Sequence, residues 1–409
     1  MDALPSTGNR LRRLFVTVPF VAATAPLAYA VSGYFVALQV QIIDDAAKVE
    51  NLGVIHTASA LAAMLAQPLV GVLSDRTRTR FGARTPWMLA GALVGTVALA
   101  AAGWSTTVPL LILAMMAVQF GFNAFQGPLA AILPDRVPFR LRGRFSTLAG
   151  LGLIVGAILG PVAASQFVTR IPVGYLILAV VILLTIVTFI LLNPDADNRG
   201  IPRAAFSALA FVKAFWVNPV RHPDFFWAFL GRILIFGGYY MVLTFNIYIA
   251  QDYIGLSAGA AARLIPLIGA MGLPGFLLAI AVSGPLSDQL GRRKPLVLAG
   301  GLVIAVSAVF PLIWPTVTGL IVSAIVLTIG FGIFISVDQA LVSEVLPDKD
   351  DFAKDLGVIN IAATLPNTIA PAAAAGIVTL FGGYGPLYAT VALVAAAGAL
   401  AVLPIKGVR

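Results

Sequence analysis

The sequence predicts an all-α integral membrane protein, with twelve transmembrane helices in two pseudo-symmetric six-helix bundles. Three observations lead there. The 409 residues are 60% hydrophobic and only 11% charged, with a mean hydropathy of +0.98, whereas a soluble domain carries roughly a quarter charged residues. Apolar runs of about 20 residues, enough to cross a bilayer core of roughly 30 Å, recur from end to end. Finally, the basic segment Gly71-Val-Leu-Ser-Asp75-Arg76, which continues to Gly82-Ala-Arg84, returns in shorter form as Gly284-Pro-Leu-Ser-Asp288 with Gly291-Arg292 behind it. Each copy stands between two apolar runs.

The spans follow in order. The first, 14–40, begins after Arg10, Arg12 and Arg13 and is too long for a signal-peptide core, so it reads as a retained span. The second and third, 51–73 and 86–103, flank the first basic segment. The fourth, 108–133, ends in Leu133-Pro134-Asp135, and the fifth, 145–167, is rich in glycine (Gly150, Gly152, Gly156, Gly160) with Pro161. Such small residues let neighbouring helices approach closely. The sixth, 173–192, runs into the longest polar interruption, 193–224. Within it Arg203 to Val217 mixes Phe206, Leu209, Phe211, Phe215 and Trp216 with Arg203 and Lys213, which suits a helix lying in the headgroup region. The second half reads 225–250, 261–284, 295–314, 316–345, 355–381 and 384–405. The second basic segment follows its second span, and Leu346-Pro347-Asp348 stands near the end of its fourth. Asp75 and Asp288 are 213 residues apart, as are Asp135 and Asp348, so the halves read as parallel repeats. The expected organisation is an N-terminal bundle over 1–192, a linker over 193–224 with its amphipathic helix, and a C-terminal bundle over 225–409.

Charge placement sets the orientation. The net charge of +9 raises the question of nucleic acid, but most Lys and Arg fall on alternate loops, the pattern of a positive inner side. This predicts a multi-pass protein of the inner (cytoplasmic) membrane with both termini cytoplasmic, whose partner is the lipid bilayer and no nucleic acid. Cysteine is absent, and neither His56 nor His222 has a companion at metal or triad spacing. No metal, no cofactor and no enzymatic activity are expected. Every span could be satisfied within one chain, so a monomer is expected.

The G-x-x-x-D-R segment with its trailing G-x-R, repeated inside a 6+6 hydropathy pattern, resembles the loop signature of the major facilitator superfamily over nearly the full length. The first copy has four more residues between its Asp and its Gly than the second. That long form, with Arg84-Thr85-Pro86-Trp87, is similar to the glycoside-pentoside-hexuronide and sucrose transporter branches. The resemblance implies a central cavity lined by the first, fourth, seventh and tenth helices and opened alternately to either side. It also implies a cytoplasmic gate formed by Gly71, Asp75, Arg76, Arg84, Arg142, Arg144, Gly284, Asp288 and Arg292. In that gate the acids clasp the opposite half, placing Asp288 near Arg142, Gly143 and Arg144, and Asp75 near Lys354 and Asp355. The two glycines would remove bulk where a helix end meets a neighbour, while the bland alternative is that the arginines only fix topology.

Charges inside spans are few, and each costs at least about 2.5 kcal/mol on insertion scales, so they mark an ion or solute path. Arg232 in the seventh span and Asp338 in the tenth both lie roughly 12 Å inside, at 1.5 Å per residue. They are expected to form a cavity pair in which Asp338 takes a coupling proton; the alternative is a permanent bridge between helices. Glu344, a few residues from the inner surface, reads as a gate or interface residue. In the fourth span Gln119, Asn123 and Gln126 share one helix face by their i, i+4, i+7 spacing, and amides offer the donors and acceptors that sugar hydroxyls require. Packing hydrogen bonds between helices are the competing explanation. Further candidate solute contacts are Tyr29, Tyr34, Tyr239, Tyr240, Gln339, Asn360, Thr364 and Asn367.

Direction is contested by the sequence. Gly156-Ala-Ile-Leu-Gly160-Pro161 resembles the core of a motif of proton-coupled drug exporters, yet Ala164-Ser165 replaces its trailing glycines and Asn123 stands where the exporters' fourth-helix pattern has Arg. Melibiose-type permeases bind sodium through acids in the first, second and fourth helices, and those spans have none here. The expected function is therefore secondary active transport of a small polar solute, a sugar or glycoside, by alternating access and with a proton as coupling ion. Efflux of an amphipathic drug or metabolite is the alternative, and a non-transporting nutrient sensor is a minor one disfavoured by short tails.

Overall fold

The computed structural model describes residues 8–200, 221–345 and 352–407. Twelve long helices are traced among them. They are α1 (Gly8–Ile43), α2 (Lys48–Arg76), α3 (Thr85–Ala102), α4 (Val108–Arg136), α5 (Arg142–Ser165), α6 (Ile171–Leu192), α7 (Pro223–Tyr248), α8 (Ala258–Leu290), α9 (Lys294–Ile313), α10 (Val317–Glu344), α11 (Phe352–Phe381) and α12 (Tyr384–Leu400). Among the described residues ten helices are long and apolar enough to cross a membrane; Leu365–Phe381 and Tyr384–Leu400 are shorter apolar stretches. The all-helical multi-pass reading holds, and the helices overrun the apolar spans at several ends. Backbone hydrogen bonding continues into the polar boundary until a stop signal intervenes: α8 runs on to Leu290 and ends at Gly291 in the left-handed region, φ 58°. As a result the Gly71–Asp75 and Gly284–Asp288 stretches are the last turns of helices, not loops. Start signals are equally local. Thr316 and Ser257 accept from the backbone N–H of Gly319 and Ala260, and proline occupies the first turn of α3, α4, α6, α7 and α9, where its missing N–H costs nothing.

Backbone proximity divides the chain into two compact units, 1–205 and 206–409. In the first unit α1 packs on α5 and α6, α4 on α2 and α3, and α3 on α6. In the second, α7 packs on α11 and α12, α10 on α8 and α9, and α9 on α12. Adding six to each helix number of the first set gives the second. The repeat extends to single atoms. A Cβ on Gly91 would stand 2.7 Å from the Gly121 carbonyl oxygen and from Phe125 N, and one on Gly300 would stand 3.0 Å from the Gly330 oxygen and 2.8 Å from Phe334 N. These three pairs are each 209 residues apart, four fewer than Asp75 and Asp288. The difference equals the four residues by which the first basic loop exceeds the second; continued at 209, the register pairs Asp135 with Glu344 and not with Asp348, which corrects the equivalence expected of the two Leu-Pro-Asp segments.

The glycines of α5 are explained by α1. A Cβ on Gly152 or Gly156 would fall on the carbonyl of Pro19 or Ala23, and one on Gly160 would meet Ala30. Their spacing of four keeps them on one face, along which two backbones touch.

The chain leaving α6 folds back over the end of its own unit. Arg136 donates to the carbonyls of Asn193 (3.1 Å) and Pro194 (3.1 Å). Asn198 accepts from Thr79 N–H (2.9 Å) and donates to the Thr77 carbonyl (2.9 Å), and Asp195 accepts from Arg84 N–H (3.2 Å). The extra residues of the long loop are thus the platform for this strap. The amphipathic segment expected over Arg203 to Val217 lies outside the described residues.

Candidate solute, ion-pair and gate sites

The polar face of unit 1 is built on α1 and α4. On α4, Gly121, Phe122, Ala124 and Phe125 are buried while Gln119, Asn123 and Gln126 are half-buried, so the amides share the face turned away from the packing seam. Tyr29 of α1 donates to Gln126 Oε1 at 3.2 Å and holds its ring edge-on to Phe122 at 6.1 Å. Asn123 Nδ2 donates to the Gln119 carbonyl (2.8 Å) and to Gln119 Oε1 (3.2 Å). No protein group among the described residues takes up Asn123 Oδ1 or the side-chain N–H groups of Gln119 and Gln126. The face therefore presents both an acceptor and donors. Tyr34, by contrast, is buried, edge-on to Phe35.

Arg232 and Asp338 come together as an ion pair, Nη1 to Oδ2 3.2 Å, with only 5% and 2% of their surfaces exposed. Gly231 on α7 leaves room for α12 at this depth, its Cβ position lying 3.0 Å from the Gly398 carbonyl oxygen. The pair sits in the interior of unit 2, beside a void of about 10 Å³ lined by Trp227, Val297, Phe334, Leu341 and Val402. That is space for about one water molecule. The Arg232 guanidinium also lies 5.5 Å from the Phe236 ring centre. Charges so enclosed persist only because each neutralises the other.

About two turns along α7 from Arg232 lies an aromatic row. Tyr239 stacks on Phe331 at 4.1 Å and 12°, and Phe276 stacks on Phe331 at 6.3 Å and 16°. Tyr240 lies against Phe236 at 6.1 Å. Both tyrosines are half-buried and partly committed to packing. Asn367 is exposed, while the side chains of Gln339, Asn360 and Thr364 lie outside the described residues.

At the basic end of unit 1, Asp75 in the last turn of α2 accepts from Arg84 Nη1, and Arg84 Nε donates to Asp135 at the end of α4, 3.0 Å. One guanidinium thus ties the ends of α2, α3 and α4. Burial works against its charge, but the hydrogen bonds and attraction of Asp75 and Asp135 outweigh that and hold its pKa above the ordinary value. Sequence reasoning missed Asp135 as a partner, although its place in the repeated Leu-Pro-Asp was the available signal; Asp195 and Asn198 were passed over as linker. Arg142 caps α4 by donating to the Val137 (3.2 Å) and Pro134 (3.1 Å) carbonyls. Arg76 ends α2, and Arg144 and Arg292 are exposed. Asp288 is exposed and forms no ion pair among the described residues. The side chains of Lys354 and Asp355 are outside that set, as is that of Glu344. The expectation that Gly71 and Gly284 remove bulk is corrected: a Cβ on either would meet nothing within 4 Å, so close packing does not demand glycine there.

Comparison with known proteins now decides the family. The chain matches the Major Facilitator Superfamily profile over residues 20–281 and 275–407. It belongs to that superfamily. Among solved structures it is similar to a D-xylose-proton symporter (17% identity, 96% of this chain and 98% of that one, TM-score 0.71). It is also similar to a POT family transporter in complex with 5-aminolevulinic acid (13%, 95% of each chain, TM-score 0.76). A third likeness is to a bacterial homologue of the human lysosomal transporter Spinster (16%, 97% and 95%, TM-score 0.69). At these identities the likenesses show the fold alone. The general alpha-glucoside permease of Schizosaccharomyces pombe is 28% identical over 127 residues, 27% of this chain and 23% of the permease, so the match spans about a quarter of that relative's length. This superfamily member is a transporter and not an enzyme.

Proposed function

We propose that this transporter moves a small polar solute, a sugar or glycoside, across the cytoplasmic membrane by alternating access, with a proton as the coupling ion and both termini in the cytoplasm. The observation that carries the substrate class is the half-buried amide and tyrosine face of Tyr29, Gln119, Asn123 and Gln126. Its open acceptor and open N–H groups suit hydroxyls, which need both. The partial likeness to an alpha-glucoside permease points the same way. The efflux reading rested on Gly156 to Pro161, and helix packing now accounts for those glycines.

Asp338 is the proposed proton carrier. Protonation would cancel its attraction for Arg232 and leave a guanidinium in apolar surroundings, a penalty large enough to drive a rearrangement. The buried cluster about the pair, with Phe225, Ile235, Phe236 and Phe334, makes that penalty hard to relieve in place. Asp75, Arg84 and Asp288 are proposed as groups of the inner gate. Counterflow in proteoliposomes with a panel of labelled pentoses, hexoses and disaccharides, set against efflux of a cationic dye, tests the substrate class. Exchange of at least one sugar is expected, and dye efflux without sugar exchange would refute the reading.

A further inference from the structure

Two large aromatic side chains stand open at the basic end of unit 1. Phe81 is 54% exposed and Phe139 84%. Phe81 lies four residues before α3, and Phe139 lies three residues after the end of α4 and three before the start of α5, so both stand close in sequence to span ends. The bridge from Arg84 to Asp135 ties the two segments to the same end of the unit. Each ring carries a guanidinium: Arg80 lies 4.6 Å from the Phe81 centre and Arg142 5.7 Å from that of Phe139. Arg80, Arg140 and Arg144 are exposed, and no carboxylate among the described residues pairs with any of them.

We propose that these two arginine–phenylalanine pairs, with Arg140 and Arg144, form a binding surface for anionic phospholipid headgroups. An aromatic ring at the depth where headgroups meet acyl chains removes apolar surface from water while its edge stays near the polar layer. A guanidinium laid over that ring is held at phosphate depth, where its planar N–H fork matches phosphate oxygens. Charge selects the headgroup: unpaired arginines at a span end are attracted to anionic lipid and indifferent to a zwitterionic one. The aromatic component separates this surface from a merely basic loop, which would hold a soluble anion equally well.

The test uses the full-length protein in phosphatidylcholine vesicles containing spin-labelled phosphatidylglycerol or spin-labelled phosphatidylcholine, and reads the fraction of each lipid immobilised at the protein. Preference for the anionic lipid is expected. The Arg80→Gln/Arg140→Gln/Arg144→Gln variant should reduce it by up to about fivefold for each arginine removed, and Phe81→Ala/Phe139→Ala should reduce it with all charges kept. Arg170→Gln, at the other end of α5, should leave it unchanged. Unchanged preference in either multiple variant, or an equal effect of Arg170→Gln, would overturn the proposal. Photocrosslinking of wild-type protein with a diazirine phosphatidylglycerol needs no substitution: adducts are expected in peptides 76–84 and 137–144, and their absence there would also overturn it.

Discussion

Replacing Asp338 by Asn keeps the shape of the side chain and removes its charge, leaving the Arg232 guanidinium 5% exposed in the interior of unit 2. The Phe236 face at 5.5 Å offsets part of that loss, on the order of 2 kcal/mol for a desolvated cation on a ring. Breaking one side of a buried pair costs about 3–5 kcal/mol, whereas replacing both sides by apolar groups of similar volume is neutral or stabilising. Asp338→Asn and Arg232→Met should therefore each lose several kcal/mol, and Arg232→Met/Asp338→Leu should recover most of it. Reversible unfolding of purified protein in mixed micelles measures all three. A double variant as unstable as the singles would refute the idea that an uncompensated charge is the cost. The same double variant separates coupling from a static bridge. If Asp338 carries the proton, the variant folds but loses pH-dependent uptake; unchanged pH dependence would assign the pair to structure alone.

Further tests address the other sites. Gln126→Ala and Asn123→Ala should each raise KM for the transported sugar about two- to tenfold, the worth of one lost hydrogen bond, with expression preserved; unaltered transport kinetics would remove the amide face from the solute path. Gly121→Ala and Gly330→Ala should destabilise their units by a similar amount, about 1–3 kcal/mol, because each forces a Cβ into a facing backbone, while Gly150→Ala, which meets nothing within 4 Å, should be neutral or mildly stabilising in thermal melts. Asn198→Ala removes two hydrogen bonds to the Thr77–Thr79 backbone and should speed amide exchange across 77–82; unaltered exchange would show that the strap does not order the loop.

The helices were legible because a bilayer leaves little choice: a run of apolar residues long enough to cross must be a helix. The duplication was legible from Asp75 and Asp288. The Arg232 and Asp338 pairing was anticipated because intramembrane charges are too costly to stand alone. What could not be read was the setting. Enclosure of the pair by Val297 of α9 and Val402 beyond α12 depends on helix rotation, which mixed apolar faces do not specify. The Arg84 bridge to Asp135 was hidden for a similar reason, since its groups meet only when the ends of α2, α3 and α4 converge. The strap over 193–198 looked like linker because its hydrogen bonds use backbone groups 119 and 121 residues away in sequence.

The most direct test of the central claim is accumulation in proteoliposomes. Purified transporter is reconstituted with an alkaline interior, the exterior is made one pH unit more acidic, and labelled sugar is followed with time. Proton coupling predicts concentration of a sugar above its external level, up to about tenfold for one proton per solute since one pH unit is worth 1.36 kcal/mol, and collapse of the gradient on adding a protonophore. Sugar uptake that merely equilibrates, unchanged by the protonophore, would contradict proton coupling, and no sugar entry beside active dye export would contradict the substrate class.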